Sequence, residues 1–234
     1  GDYIDGTIAT TTGAWVHSIS CWVRQVRDTY NSTPEGQLFT FGWTGSDNHM
    51  VSLRFNGTDK IRSRFQGNDI DYHVPYNSDR WLHVVATYDG GGYSSQGTGV
   101  VGVNRKLYVN GEECLVAWTN GTVGALNLQS TSHTYYVGRS GWNASAENLN
   151  GYYGGVRVYN KVLSHEQVLE LFDEGAERFG IREDLVSLHR GNLGIGLRDP
   201  EQRLVIAGNL QEFPPAPMTG YYTHIAGHGI FHGG

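Results

Sequence analysis

A chain of 234 residues with 33 glycines, two cysteines and a formal net charge of −6 is long enough for one large core, or for a domain with an appendage. The acidic balance, with no basic cluster, excludes an electrostatic nucleic-acid footprint, and no apolar run reaches the ~20 residues of a membrane-spanning helix. Charged residues at 17% and many Tyr, Trp, Val and Thr favour pleated, half-buried surfaces over long solvated helices, so the expectation is an all-β protein. No charged-then-apolar leader opens the chain.

Strand patterns recur at short intervals between turn residues. Residues 18–24 (SISCWVR) form the first clear strand, and residues 37–43 (QLFTFGW) the next, after a Pro-Glu-Gly turn. In residues 49–55, Val51, Leu53 and Phe55 share one face and Ser52 and Arg54 the other; Asn56-Gly57 turns the chain. Residues 60–66 repeat the alternation, with Ile61, Ser63 and Phe65 opposite Arg62 and Arg64, which predicts a hairpin with one wet face. Residues 81–88 (WLHVVATY) are apolar on both faces, the pattern of a strand covered on both sides. Residues 106–109 run into Asn110-Gly111, the favoured pair for a two-residue hairpin turn. Residues 135–137 and 155–159 complete the strands. One helix follows: Ser164 caps it, Gln167 completes a capping box, Val168, Leu171 and Phe172 make an apolar stripe, and Gly175 ends it. This helix is expected to seal one edge of a sandwich.

Beyond about residue 180 the chain becomes Gly-punctuated and short-stranded, and residues 211–220 form a Pro-rich connector. The expected organisation is a sandwich over 1–182, a separate segment over 183–210, and a connector opening a further module over 211–234, with the whole read as a fragment. Four Asn-x-Ser/Thr sequons stand at Asn31, Asn56, Asn120 and Asn143. Whether Cys21 and Cys114 meet is left open, since two cysteines alone do not define a disulfide framework.

Residues 81–111 resemble the laminin G-like branch of the concanavalin superfamily, which often reads W-x-H-V-A-x-T-Y-D-G, then L-Y-V-N-G. The matching residues are Trp81, His83, Val84, Thr87, Tyr88, Asp89 and Gly90, then 107–111. YYVGRS at 135–140 resembles the family's Y-I-G-R-S strand, residues 151–172 its closing strand and helix, and residues 1–4 its early D-Y-V strand. The resemblance covers residues 1 to about 175 and implies an antiparallel jelly-roll sandwich. Two departures stand out. Gly154 and Gly155 replace the acidic pair that often precedes V-R-I-Y-N, and the loop at 90–105 is long and Gly-rich where the family's is short.

Residues 191–208 are similar to a different pattern, G-N-x-G-I-G-x-x-x-P-x-x-x-L-x-V-x-G, of viral fibre stalks, as in structural proteins of large algal viruses and phages. That resemblance implies a homotrimeric, β-rich stalk and a virion-surface or extracellular place for the domain. The resulting expectation is a non-enzymatic, lectin-like domain that recognises a glycan or host-surface receptor among other virion proteins. The alternatives are a purely structural capsid or fibre protein, or a carbohydrate-binding accessory module of a secreted enzyme.

Sugar binding needs an aromatic face and planar hydrogen-bonding groups. Three loops carry that mixture: Trp43 with Asp47, Asn48 and His49; Tyr88, Asp89 and Tyr93; and Trp142 and Asn143 with Glu147 and Asn148. No nucleophile elbow, phosphate loop or zinc-protease helix is present. Calcium is the one cofactor the chain leaves open, with Asp2 and Asp89 as its leading acids and Asp5, Asp47 and Asp69 as others. His224, His228 and His232 recur at a spacing of four and are candidate transition-metal ligands.

Overall fold

The computed structural model describes residues 3–26, 36–42, 45–57, 59–74, 80–92, 104–115, 117, 124–142 and 148–180, and the backbone of 35, 118–121, 186–189, 192–195 and 204–206. The chain divides into two units, Gly1–Phe179 and Gly180–Gly234. In the first, a seven-stranded sheet runs in the order β1 (Ile4–Ala9), β11 (Ser132–Val137), β3 (Glu35–Phe41), β4 (Val51–Asn56), β5 (Lys60–Arg64), β6 (Asn68–His73) and β10 (Ala117–Gly121). A five-stranded sheet runs β12 (Gly151–Tyr159), β2 (His17–Gln25), β7 (Trp81–Tyr88), β8 (Arg105–Val109) and β9 (Glu112–Glu113). Neighbouring strands within both sheets are antiparallel. In the second unit, β13 (Val186–His189) pairs antiparallel with β14 (Asn192–Ile195), which pairs parallel with β15 (Leu204–Ile206).

The period-two pattern decides which side chains meet. Val51, Leu53, Phe55, Ile61, Ile70 and Tyr72 of the larger sheet face Ile19, Cys21, Val23, Val84, Tyr88 and Leu107 of the smaller one in a single core. Burying such apolar area, at ~25 cal/mol per Å², is what holds the two sheets together as a sandwich. Strands β6 and β10 were not legible as strands from the sequence, and β1 only through the resemblance of residues 1–4 to an early strand. In β6 the two carboxylates of Asp69 and Asp71 made an alternating strand look like a polar loop.

A buried cation ties the two sheets at the root of the 90–105 loop. The Arg105 guanidinium lies 4.2 Å above the Phe65 ring and donates to the Ser63 carbonyl at 3.3 Å and to the Asn68 carbonyl and side-chain oxygen at 3.2 and 2.6 Å. The Asn110-Gly111 turn behaves as its residues require: both have positive φ, 52° and 87°, the handedness that matches strand twist in a two-residue hairpin. Cys21 is buried and Cys114 partly buried, and both are free thiols. Burial pushes the Cys21 thiol up to about 12 and the Cys114 thiol to about 11.

The helix, α1 (His165–Ala176), has the expected capping box: Ser164 accepts from the Gln167 amide, and the Gln167 side chain accepts from the Ser164 amide. Its place differs from the expectation. It lies over the outer face of the five-stranded sheet, not on an edge. The outward residues Val85 and Tyr108 are apolar and require a cover, which Leu163, Val168 and Leu171 provide. This is why β7 reads as apolar on both faces. Replacing Ser164 by Ala is expected to cost about 1 kcal/mol, read as a fall in the urea midpoint without a change in slope.

Candidate functional site

Two of the three sequence-picked loops meet at one end of the sandwich. Asn48 adopts a left-handed conformation, φ 61°. Its amide donates to the carbonyls of Phe65 and Gln66, its carbonyl accepts from Asn127, and its side-chain oxygen accepts from Asn68 at 2.7 Å. Asn48 is therefore spent on shaping the loop. Tyr88 is similarly occupied: its ring is buried and its hydroxyl accepts from the Leu126 amide at 3.0 Å. Burial raises its pKa. Asp89 accepts from the Gly91 amide at 2.8 Å, a local turn that leaves it exposed. Asp47 is exposed and lies against the backbone of Gly67. The His49 ring nitrogen lies 3.2 Å from the Gln129 amide nitrogen.

Trp43, Tyr93, Asn143, Glu147, Asp2 and the histidines 224, 228 and 232 lie outside the described residues. Among the described residues no three of His, Cys, Asp and Glu converge as a metal site. At the glycines that replace the acidic pair, Gly154 lies directly against the Phe179 ring, so a side chain there would displace that ring. Gly155 has φ 72°.

Trp142 belongs to a different surface, the outer face of the seven-stranded sheet. Strand register aligns Asp5, Tyr136, Thr40, Ser52, Arg64 and Asp69 in one row across six strands. A second row holds Gln37, Arg54, Arg62 and Asp71. The Ser52 hydroxyl donates to the Gln37 side chain at 2.8 Å and joins the rows. Arg62 grips Asp71 through two bonds of 2.7 and 2.8 Å and reaches Asp69 at 3.2 Å. The Asn56 amide donates to Asp71 at 3.0 Å, so this sequon nitrogen is already engaged. Burial holds the Asp69 carboxyl above its usual range, against the opposing pull of Arg64, Arg62 and Arg54.

The connection after β11 folds back across these rows. Gly141 lies over Tyr136 and Thr40, and the Trp142 ring sits 5.3 Å from the Arg64 guanidinium. Arg139 stacks on Tyr3 at 4.5 Å and on Tyr136 at 5.3 Å. Gln37, Thr40, Ser52, Arg54, Asp69 and Asp71 are buried, whereas Arg62, Arg64, Tyr136 and Trp142 are half-buried and give this face its accessible aromatic and guanidinium groups. Of its members, only Trp142 is a sugar-site candidate from the sequence, while Asp5 and Asp69 are named there only as possible calcium acids. The usable signal was the wet-face alternation of Arg54, Arg62 and Arg64, which sequence reading treated as solvation only.

The profile of the concanavalin A-like lectin/glucanases superfamily matches residues 2–169. Domain 4 of AbnA, an extracellular arabinanase from Geobacillus stearothermophilus in complex with arabinotriose, is 19% identical, with a TM-score of 0.45 over 68% of this chain and 67% of that one. The CBM40 domain of the Ruminococcus gnavus IT-sialidase bound to α2,3-sialyllactose is 12% identical, with a TM-score of 0.45 over 72% and 97%. A Trypanosoma rangeli sialidase is 15% identical, with a TM-score of 0.43 over 68% of this chain but only 22% of the enzyme. At these identities the likeness is one of fold. No curated protein sequence matches the chain.

Proposed function

Because the chain belongs to the concanavalin A-like lectin/glucanases superfamily, we propose that its sandwich is a non-catalytic, lectin-like domain. It binds a glycan on the outer face of the seven-stranded sheet. The observation that carries this is the half-buried Trp142 ring beside Arg64, on a face where Arg62 and Tyr136 are also half-buried and so keep some surface for a ligand. Sugars present C–H faces to aromatic rings and hydroxyls to planar polar groups. Binding without cleavage is favoured because Arg62 contacts both carboxylates, Asp69 and Asp71; held this way, they serve as hydrogen-bond acceptors.

The fuller proposal is an extracellular domain on a virion-surface fibre or decoration protein. The Gly-rich stretch at 191–208 supports a trimeric stalk, which would gather weak sites into an avid binder. The test is a glycan array probed with the intact chain, with a truncation ending at residue 182, and with Trp142→Ala in the intact chain. The intact chain should bind a defined glycan set, the truncation the same set with signal weaker by tenfold or more, and Trp142→Ala about tenfold more weakly. An array blank for the intact chain would end the glycan proposal. Equal signals from intact and truncated chains, both monomeric by sedimentation, would end the stalk proposal.

A further inference from the structure

We propose that a recess above β11 and β3 is the subsite for one uncharged sugar unit, an inference that rests on the glycan-binding reading above. The recess has a volume of ≈ 300 Å³ and is lined by Thr40, Gly42, Ser132, Thr134, Tyr136 and Gly141. That is the lower end of the ~300–1,000 Å³ of small-ligand sites, in keeping with a single ring rather than a chain.

The lining is polar but uncharged. Ser132 and Thr134 are exposed, and the two glycines bring backbone close to the space. At the floor, the Thr40 hydroxyl is buried and has no hydrogen-bond partner among the described residues. No Lys, Arg, Asp or Glu lines the space. Its imidazole, His133, is buried and bonded to the Ser130 carbonyl at 2.9 Å. Neither nearby guanidinium lines the recess: Arg139 lies over the faces of Tyr3 and Tyr136, and Arg64 pairs with Asp69. A carboxylated or sulfated ring would therefore lose water without gaining a counter-ion.

Gly141 sets the roof. A Cβ on it would stand 3.4 Å from the Tyr136 ring and 3.6 Å from the Thr40 methyl, in ordinary contact with both. From the recess, the row Tyr136–Thr40–Ser52–Arg64 leads to Trp142.

The experiment is calorimetric titration of the intact chain with arabinotriose, cellotriose, mannotriose and lactose, and with trigalacturonate as the charged comparison. The best neutral binder is then titrated into Ser132→Trp and Thr134→Trp, two exposed positions where an indole would fill the recess, each checked for an unchanged melting temperature. A neutral saccharide should bind, both filling variants should weaken it at least tenfold, and trigalacturonate should not compete. Unchanged affinity in both folded variants, or tighter binding of trigalacturonate, overturns the subsite while leaving a glycan-binding domain. No binding by any neutral saccharide overturns the subsite as well; the glycan array decides whether the broader reading falls with it.

Discussion

Lowering the pH from 7 to 4 is expected to cost this domain on the order of 5 kcal/mol of folding stability, because two buried histidines must stay neutral in the folded state. His17 is packed among Trp15, Phe41, Phe65 and Tyr88 and hydrogen-bonds the Trp15 carbonyl at 2.8 Å. His83 is stacked on Trp22 and bonds Ser20 at 2.9 Å. Burial lowers both to about 4; the Trp15 carbonyl opposes this at His17, and the charges of Arg105 and Arg157 add to it at His17 and His83 respectively. An unfolded histidine titrates near 6.5. Above that value neither state binds the protons and the full stability is present. Between 6.5 and 4 only the unfolded chain takes them up, so each site removes about 1.4 kcal/mol per pH unit. Below about 4 both states are protonated and the loss levels off. Asp69, whose folded-state pKa is raised, works in the opposite direction, gaining stability as the pH falls. Urea unfolding at intervals between pH 7 and 4 reads the slope directly. His17→Asn and His83→Gln should each remove about half of it. A flat profile in the parent chain would show that these rings are not held neutral.

The second large effect concerns the aromatic stack beneath α1. Trp22 is 5% exposed, with ring centroids 4.9 Å from His83, 5.8 Å from Phe172 and 4.6 Å from Phe179. Gly175 and Gly154 carry no side chain because Trp22 and Phe179 occupy the space a Cβ would need. The bidentate pair of Arg157 and Glu174, at 2.6 and 2.9 Å, closes the surface beside the stack, but an exposed pair of this kind contributes little on its own. Replacing Trp22 by Ala empties the centre of the interface and should cost ~3–5 kcal/mol. It should also admit water to His83 and move that imidazole back toward 6.5. Trp22→Phe should recover part of the stability. Urea denaturation gives the first quantity and a proton NMR titration of His83 the second. A loss under about 1 kcal/mol would mean that α1 is held by other contacts.

The fold was legible wherever one strand or helix carried its own signal. The alternation in β4 and β5, the doubly apolar β7 and the Ser164–Gln167 cap each required only local sequence. Strand β6 was missed because its charges are neutralised by Arg62 and Arg64 of the neighbouring strand, a pairing that composition does not reveal. Site selection suffered in the same way. Asn48 and Tyr88 have the chemistry of sugar contacts, yet their polar atoms hold loops together. The row from Tyr136 through Thr40 to Arg64 is assembled from strands far apart in the chain, and nothing local marks those residues as neighbours. The family resemblance supplied the jelly-roll and, at Gly154 and Gly155, showed where not to look for its acids.

The strand order also governs when the domain can take shape. Its earliest strands pair with its latest, β1 with β11 and β2 with β12, so loops of more than a hundred residues must close before either contact forms. Such pairing is slow, because closure entropy is lost before the contacts that repay it exist. On the ribosome, β2 and β7 must wait with their apolar faces uncovered until residues 151–176 emerge to supply both the flanking strand and the helix. The last part of the sandwich to be synthesised is therefore the part that ends its period of greatest exposure to aggregation.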